Sequence, residues 1–91
     1  MKHIEWDELK NAKLKSQRGA CFEDIQAALE EGYLLDDIDH PNQVNYKNQR
    51  MYIVNLNQYA YLVPYIEDDA KIFLKTIIPN REATKKYIRK D

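Results

Sequence analysis

Four cations and a set of strand tyrosines are the residues whose type and spacing suit chemistry. The run IFLKTIIPNREATKKY, from Ile72 to Tyr87, places Lys75 inside an apolar stretch and Arg81 just past Pro79-Asn80. Packing asks for neither charge. Arg18 and Arg50 stand at two other boundaries, before Gly19 and at the start of an apolar run. The chain has seven tyrosines, and Tyr52, Tyr59, Tyr61 and Tyr65 fall in alternating, strand-like segments. Tyrosines stack on bases, and Arg or Lys between them bind phosphate. Attack of an RNA 2′-OH on its own phosphodiester needs no cofactor. It needs proton transfer and cations where negative charge develops. Arg18, Arg50, Lys75 and Arg81 are the candidate cations, and Tyr52 or Tyr61 the candidate proton-transfer partner. The competing reading is structural: strand tyrosines commonly pack, and a strand lysine guards an edge.

Other chemistries find less support. One cysteine and two distant histidines, His3 and His40, give no metal-ligand spacing. The run Asp36-Asp37-Ile38-Asp39 lacks the glycine and closing glutamate of a calcium loop. Two glycines cannot build a phosphate-cradling loop, so no cofactor is expected. Cys21 and His40 would form a nucleophile–base pair only if the fold joined them; a small residue at a helix start is the favoured reading of Cys21.

The elements that must position these residues fit a single domain over residues 1–91. Asp7 to about Gln17 reads as a helix closed by Gly19, with Trp6, Leu9 and Ala12 as its apolar stripe. Phe22 to Glu31 reads as a second, with Phe22, Ile25, Ala28 and Leu29 at helical spacing. Residues 33–42 read as a connector. Strands are predicted over Arg50–Leu56, Tyr59–Ile66 and Lys71–Ile78, with an optional edge strand at Val44–Tyr46. A two-residue turn at Asn57-Gln58 sets Val54 opposite Tyr61 and Arg50 opposite Tyr65. A turn at 67–70 sets Ile66 opposite Lys71. Pro64 predicts a bulge. Asn80 caps a last helix, Arg81 to about Arg89. The fold class expected is α+β: two N-terminal helices, a three- to four-stranded antiparallel sheet and a C-terminal helix.

Net charge is −1, but unevenly spread. Residues 21–42 carry seven acids and no Lys or Arg, whereas 71–91 carry seven Lys/Arg against two acids. That asymmetry points to an anionic ligand at the basic end, or to a partner. A lone cysteine and no long apolar run predict a reducing, cytoplasmic setting without a membrane span.

In pieces along most of its length the chain resembles the BrnT-like toxins of bacterial toxin–antitoxin pairs, related to RelE-type ribonucleases. Trp6, Asp7, Lys10, Arg18, Gly19, Phe22 and Glu23 match the pattern around the first two helices. Arg50 matches an arginine that opens a strand. Lys75, Ile77, Ile78, Arg81, Ala83 and Tyr87 match the ending. Gln17-Arg18-Gly19 stands where the family has Lys-His-Gly, and Leu14 where it has asparagine. The resemblance implies a RelE-like fold and a metal-independent endoribonuclease that inhibits translation, acting on free or ribosome-bound RNA. It also implies a cognate antitoxin as protein partner, with DNA engaged only through that antitoxin. The alternative is an inactive interaction module on the same fold, docking a basic partner through the block Glu23 to Asp39.

Overall fold

The computed structural model describes residues 2–89. The class is α+β, but the architecture corrects the expected one. Three helices accompany a six-stranded mixed sheet, in the order β1 (His3–Trp6), α1 (Glu8–Arg18), α2 (Phe22–Glu30), β2 (Leu34–Asp39), β3 (Arg50–Leu56), β4 (Tyr59–Glu67), β5 (Lys71–Leu74), β6 (Ile78–Pro79), α3 (Arg81–Tyr87). The strands lie in the order β1-β5-β4-β3-β2, with β6 also on β4.

The chain thus opens with a strand rather than a helix. β1 runs parallel to β5, Ile4 beside Ile72 and Trp6 beside Leu74. Four residues with one buried apolar side chain, Ile4, give a weak local signal. Its partner lies some seventy residues away, so only the tertiary fold pairs it. The connector is the second missed strand. β2 is antiparallel to β3 with an irregularity between Leu34 and Asp36. Three aspartates in six residues disfavour a strand. Here Asp37 and Asp39 lie opposite Tyr52 and Arg50, and the arginine holds both carboxylates. Val44–Tyr46 is an exposed turn and not a strand.

The β3–β4 hairpin keeps the predicted register, from Arg50↔Tyr65 to Leu56↔Tyr59. Asn57 and Gln58 both take left-handed φ, 54° and 67°, which matches the turn to the strand twist. In the next hairpin Ile66 lies opposite Phe73 instead of Lys71. The shift is two residues, so each side chain keeps its face.

Pro64 sits opposite Met51 with no break in that ladder. Its carbonyl accepts from Lys75 N–H at 2.8 Å. The N and C=O of a strand residue point the same way, so the missing donor faces the end of β5. The irregularity lies there. Tyr65 pairs with Leu74 and Leu62 with Ile78, so three steps on β4 meet four on its partner. One extra residue within 75–77 splits the predicted third strand into β5 and β6. It also turns Ile77 onto the face opposite to that of Lys75, and Ile77 is fully buried.

α1 and α2 cover one face, where Leu14, Phe22, Ile25 and Leu29 meet Tyr52, Val54, Val63, Tyr65, Ile72, Leu74 and Ile77. α3 covers part of the other, with Ala83, Tyr87 and Ile88 against Ile53, Ala60, Leu62, Leu35 and Ile38. The predicted stripe of α1 is corrected: Leu9 is 84% exposed, and Asn11 and Leu14 are the buried residues. Asn11 is inside because α2 needs it. Cys21, the N-cap of α2, makes no side-chain cap bond. Asn11 Oδ1 accepts from Phe22 N–H at 2.8 Å instead, while its Nδ2 donates to Glu23 Oε1 at 2.8 Å. One side chain thereby satisfies an orphan donor of a neighbouring helix. α3 is pinned likewise: Thr84 Oγ1 accepts from Ala60 N–H and donates to the Asn80 carbonyl, at 2.9 and 2.8 Å. At the far end Tyr87 OH donates to Asp36 Oδ2 at 2.6 Å.

Candidate functional site

The six candidate residues divide into two groups. Arg18, Lys75, Arg81 and Tyr61 gather around the irregular edge from Lys75 to Arg81. Arg18, in the last turn of α1, donates through Nη1 to the Ile77 carbonyl. That carbonyl lies two residues from Lys75 and four from Arg81. Tyr61 is the backbone partner of Pro79 in the β4–β6 ladder. The extra residue in 75–77 makes this meeting possible. It leaves the Ile77 carbonyl without a ladder position and lets the chain leave the sheet into α3.

The cations of this edge are exposed. Among the described residues none of Arg18, Lys75 and Arg81 takes part in an ion pair. Lys75 Nζ lies 5.5 Å from the centroid of Phe73, over an aromatic surface. Arg81 opens α3 behind its cap, Asn80, whose Oδ1 accepts from Ala83 N–H at 2.7 Å. Arg18 thus reaches from α1 to the chain segment that Lys75 and Arg81 flank. Such a strip can hold successive phosphates and offset charge on a phosphorane-like transition state. Arg18 also has a structural duty, since it suits the C-terminal end of the α1 dipole and anchors Ile77.

Arg50 and Tyr52 belong to a different constellation. Arg50 Nη1 donates to Asp39 Oδ1 at 2.5 Å, Nε to Asp37 Oδ1 at 3.3 Å and Nη2 to the Asp37 carbonyl at 3.1 Å. Tyr65 OH donates to Asp37 Oδ1 at 2.7 Å, and its ring stacks on Tyr52 at 3.9 Å and 11°. Burial and the bond to Asp37 push the Tyr65 phenol far up from its ordinary value. Burial likewise raises Tyr52. The Arg50 guanidinium, between two carboxylates and a phenol, ties β2 to the sheet. Together with Asp36 Oδ1, which accepts from Asp37 N–H, it occupies backbone groups of this edge strand. Side chains so placed discourage pairing with another chain.

The sequence reading missed Asp37, Asp39 and Asn11 as partners. The usable signal was the Asp-x-Asp alternation of Asp37 and Asp39, which places both carboxylates on one strand face. Cys21 and His40 each have their own surroundings. Burial raises the Cys21 thiol. The His40 ring stacks on Tyr46 at 4.4 Å, and its Nδ1 accepts from Asn42 N–H. Among the described residues no three of His, Cys, Asp and Glu are grouped to hold a metal ion, and no helix is long and apolar enough to cross a membrane.

Tyr61 also borders a cleft of about 420 Å³ between α2 and the β3–β4 hairpin. Gly19 and Ala20, next to Arg18, form its near wall.

Comparisons with protein-family models, with curated proteins and with solved structures each found no match.

Proposed function

We propose that this chain is the toxin of a bacterial toxin–antitoxin pair, a metal-independent endoribonuclease of the BrnT-like kind. RNA phosphates would lie along the strip from Lys75 to Arg81, with Arg18, Lys75 and Arg81 binding them and stabilising the charge that forms when a 2′-OH attacks. Tyr61, beside Pro79, is the proton-transfer partner in this reading. Arg50 and Tyr52, occupied by Asp37, Asp39 and Tyr65, take no part in it. The observation that carries the reading is three exposed cations outside any described ion pair, with Arg18 bonded to the Ile77 carbonyl in the segment that Lys75 and Arg81 flank. A cognate antitoxin would cover the chain and hold it inactive.

A second reading, a non-catalytic module for a basic partner, is favoured by Arg18. It bonds a main-chain carbonyl, and a guanidinium does not give up its proton to act as acid or base.

The test is controlled expression in a bacterium without an antitoxin, following growth and total RNA, beside the double variant Lys75→Ala/Arg81→Ala. Growth arrest with RNA cleavage in the wild type, lost in the variant at equal folded protein, supports the ribonuclease. Normal growth and intact RNA with soluble, folded wild type would overturn it.

A further inference from the structure

The seven acids between residues 21 and 42 are unevenly occupied. Glu23 is bonded to Asn11, Asp36 to Tyr87, and Asp37 and Asp39 to Arg50. Asp24, Glu30 and Glu31 remain on and beside α2 without a described ion pair. Two of these three, Asp24 and Glu31, line the cleft between α2 and the β3–β4 hairpin. They are seven residues apart, two helical turns, so they lie on one side of α2 about 10 Å apart along its axis.

The rest of the lining is as selective as the charge. Tyr33 and Tyr61 supply aromatic surface, and Asn55, Asn57 and Gln58 supply amides. Tyr33 is 51% exposed. Among the described residues no lysine or arginine lines the cleft. A phosphate or carboxylate entering it would meet two carboxylates and no cation. A cation would meet a carboxylate and the faces of aromatic rings. Its volume of about 420 Å³ lies within the span of clefts that take small ligands or single side chains.

We propose that this cleft is a docking site for an arginine side chain presented by a basic segment of a partner protein. Arginine fits better than lysine. Its planar guanidinium stacks on tyrosine and offers five donors to the carboxylates and amides around it, whereas an ammonium is a compact point charge. The cleft accounts for two acids of the block. Glu23 and the acids of β2 are bonded within the fold, and Asp24 and Glu31 line the cleft. The inference does not depend on RNA cleavage, because the lining of the cleft repels a polyanion and the cationic strip attracts one.

The test is amide chemical-shift mapping of the isotopically labelled full chain, titrated with a blocked tri-arginine peptide, a blocked tri-lysine peptide and a single-stranded RNA oligonucleotide. The expected result is saturable shifts at Asp24, Glu31, Tyr33, Asn55 and Gln58 with tri-arginine, at least threefold weaker binding of tri-lysine, and RNA shifts confined to Arg18, Tyr61 and the 75–81 strip. Asp24→Asn/Glu31→Gln should weaken tri-arginine at least fivefold. Tyr33→Ala, at an exposed ring, should weaken it severalfold, and it serves if the double variant does not fold. Arginine shifts spread evenly over Asp39, Asp68 and Asp69, or unchanged in both variants, would overturn the proposal. So would a cleft that answers RNA and not the peptide. Absence of any RNA response with intact arginine binding would count against the ribonuclease alone.

Discussion

Asn11 is the residue on which the helical layer turns, and Asn11→Ala isolates its contribution. It is 5% exposed and makes two bonds of 2.8 Å, one from Phe22 N–H and one to Glu23. Alanine leaves the buried Phe22 N–H at the start of α2 without an acceptor. An unpaired buried donor costs about 1–3 kcal/mol, and loss of a side-chain cap about 1 kcal/mol. These describe one bond seen two ways and do not add, so the expected destabilisation is about 1–3 kcal/mol. For a domain of this size each kcal/mol lowers Tm by about 4–8 °C, giving a drop of about 4–24 °C. Urea and thermal unfolding followed by circular dichroism measure it. Glu23→Ala is the control. It removes only the exposed partner and should cost much less. The bond from Asn11 is the main reason the Glu23 carboxyl is held below its ordinary value. A depressed carboxylate contributes stability above its unfolded pKa and loses it as pH falls through the folded one. The difference between wild type and Asn11→Ala should therefore narrow somewhat in acid, below the ordinary glutamate range, while the Phe22 part persists. A loss under about 0.5 kcal/mol, or a larger effect from Glu23→Ala, would refute the capping role.

Thr84→Val keeps the shape of a buried side chain and removes the acceptor for Ala60 N–H. It should destabilise by about 1–3 kcal/mol and raise hydrogen exchange at Ala60 above that of its β4 neighbours. In alkaline titration followed by ultraviolet absorbance, Tyr52, Tyr65 and Tyr87 should ionise above the ordinary phenol range, since burial and the Asp37 and Asp36 carboxylates raise them. A phenol raised in the folded state gives stability that is present below its unfolded pKa, about 10, and lost as pH rises through the folded value. Alkaline unfolding should therefore set in above about pH 10; ionisation of Tyr52, Tyr65 and Tyr87 below that point would contradict the buried network. Single-stranded RNA binding should weaken with salt at a logarithmic slope of about −2 for three phosphate contacts, and Lys75→Ala/Arg81→Ala should flatten it by more than half. An unchanged slope would remove these residues from the interface.

Local signals in the sequence located what depends on near neighbours. Asp7, Gly19, Phe22 and Asn80 mark helix ends through capping and φ preference, which involve a few adjacent residues. The β3–β4 register followed from one tight turn and alternation, and it put Arg50 opposite Tyr65 before any fold was known. Non-local pairing was not legible. β1 exists because β5 offers a parallel edge to His3–Trp6, and β2 exists because Arg50 gathers the carboxylates of Asp37 and Asp39. The same arginine had looked like a free cation, since charge type is written in the sequence and its partner is not. Asn11 lies off the predicted α1 stripe of Trp6, Leu9 and Ala12, and it is buried because α2 supplies the donor that needs it. The sequence by itself determined which cations and tyrosines exist and which helices and hairpin carry them. The tertiary structure alone decided which of those cations are held by carboxylates and which remain exposed along one edge, because that depends on strands brought together from distant parts of the chain.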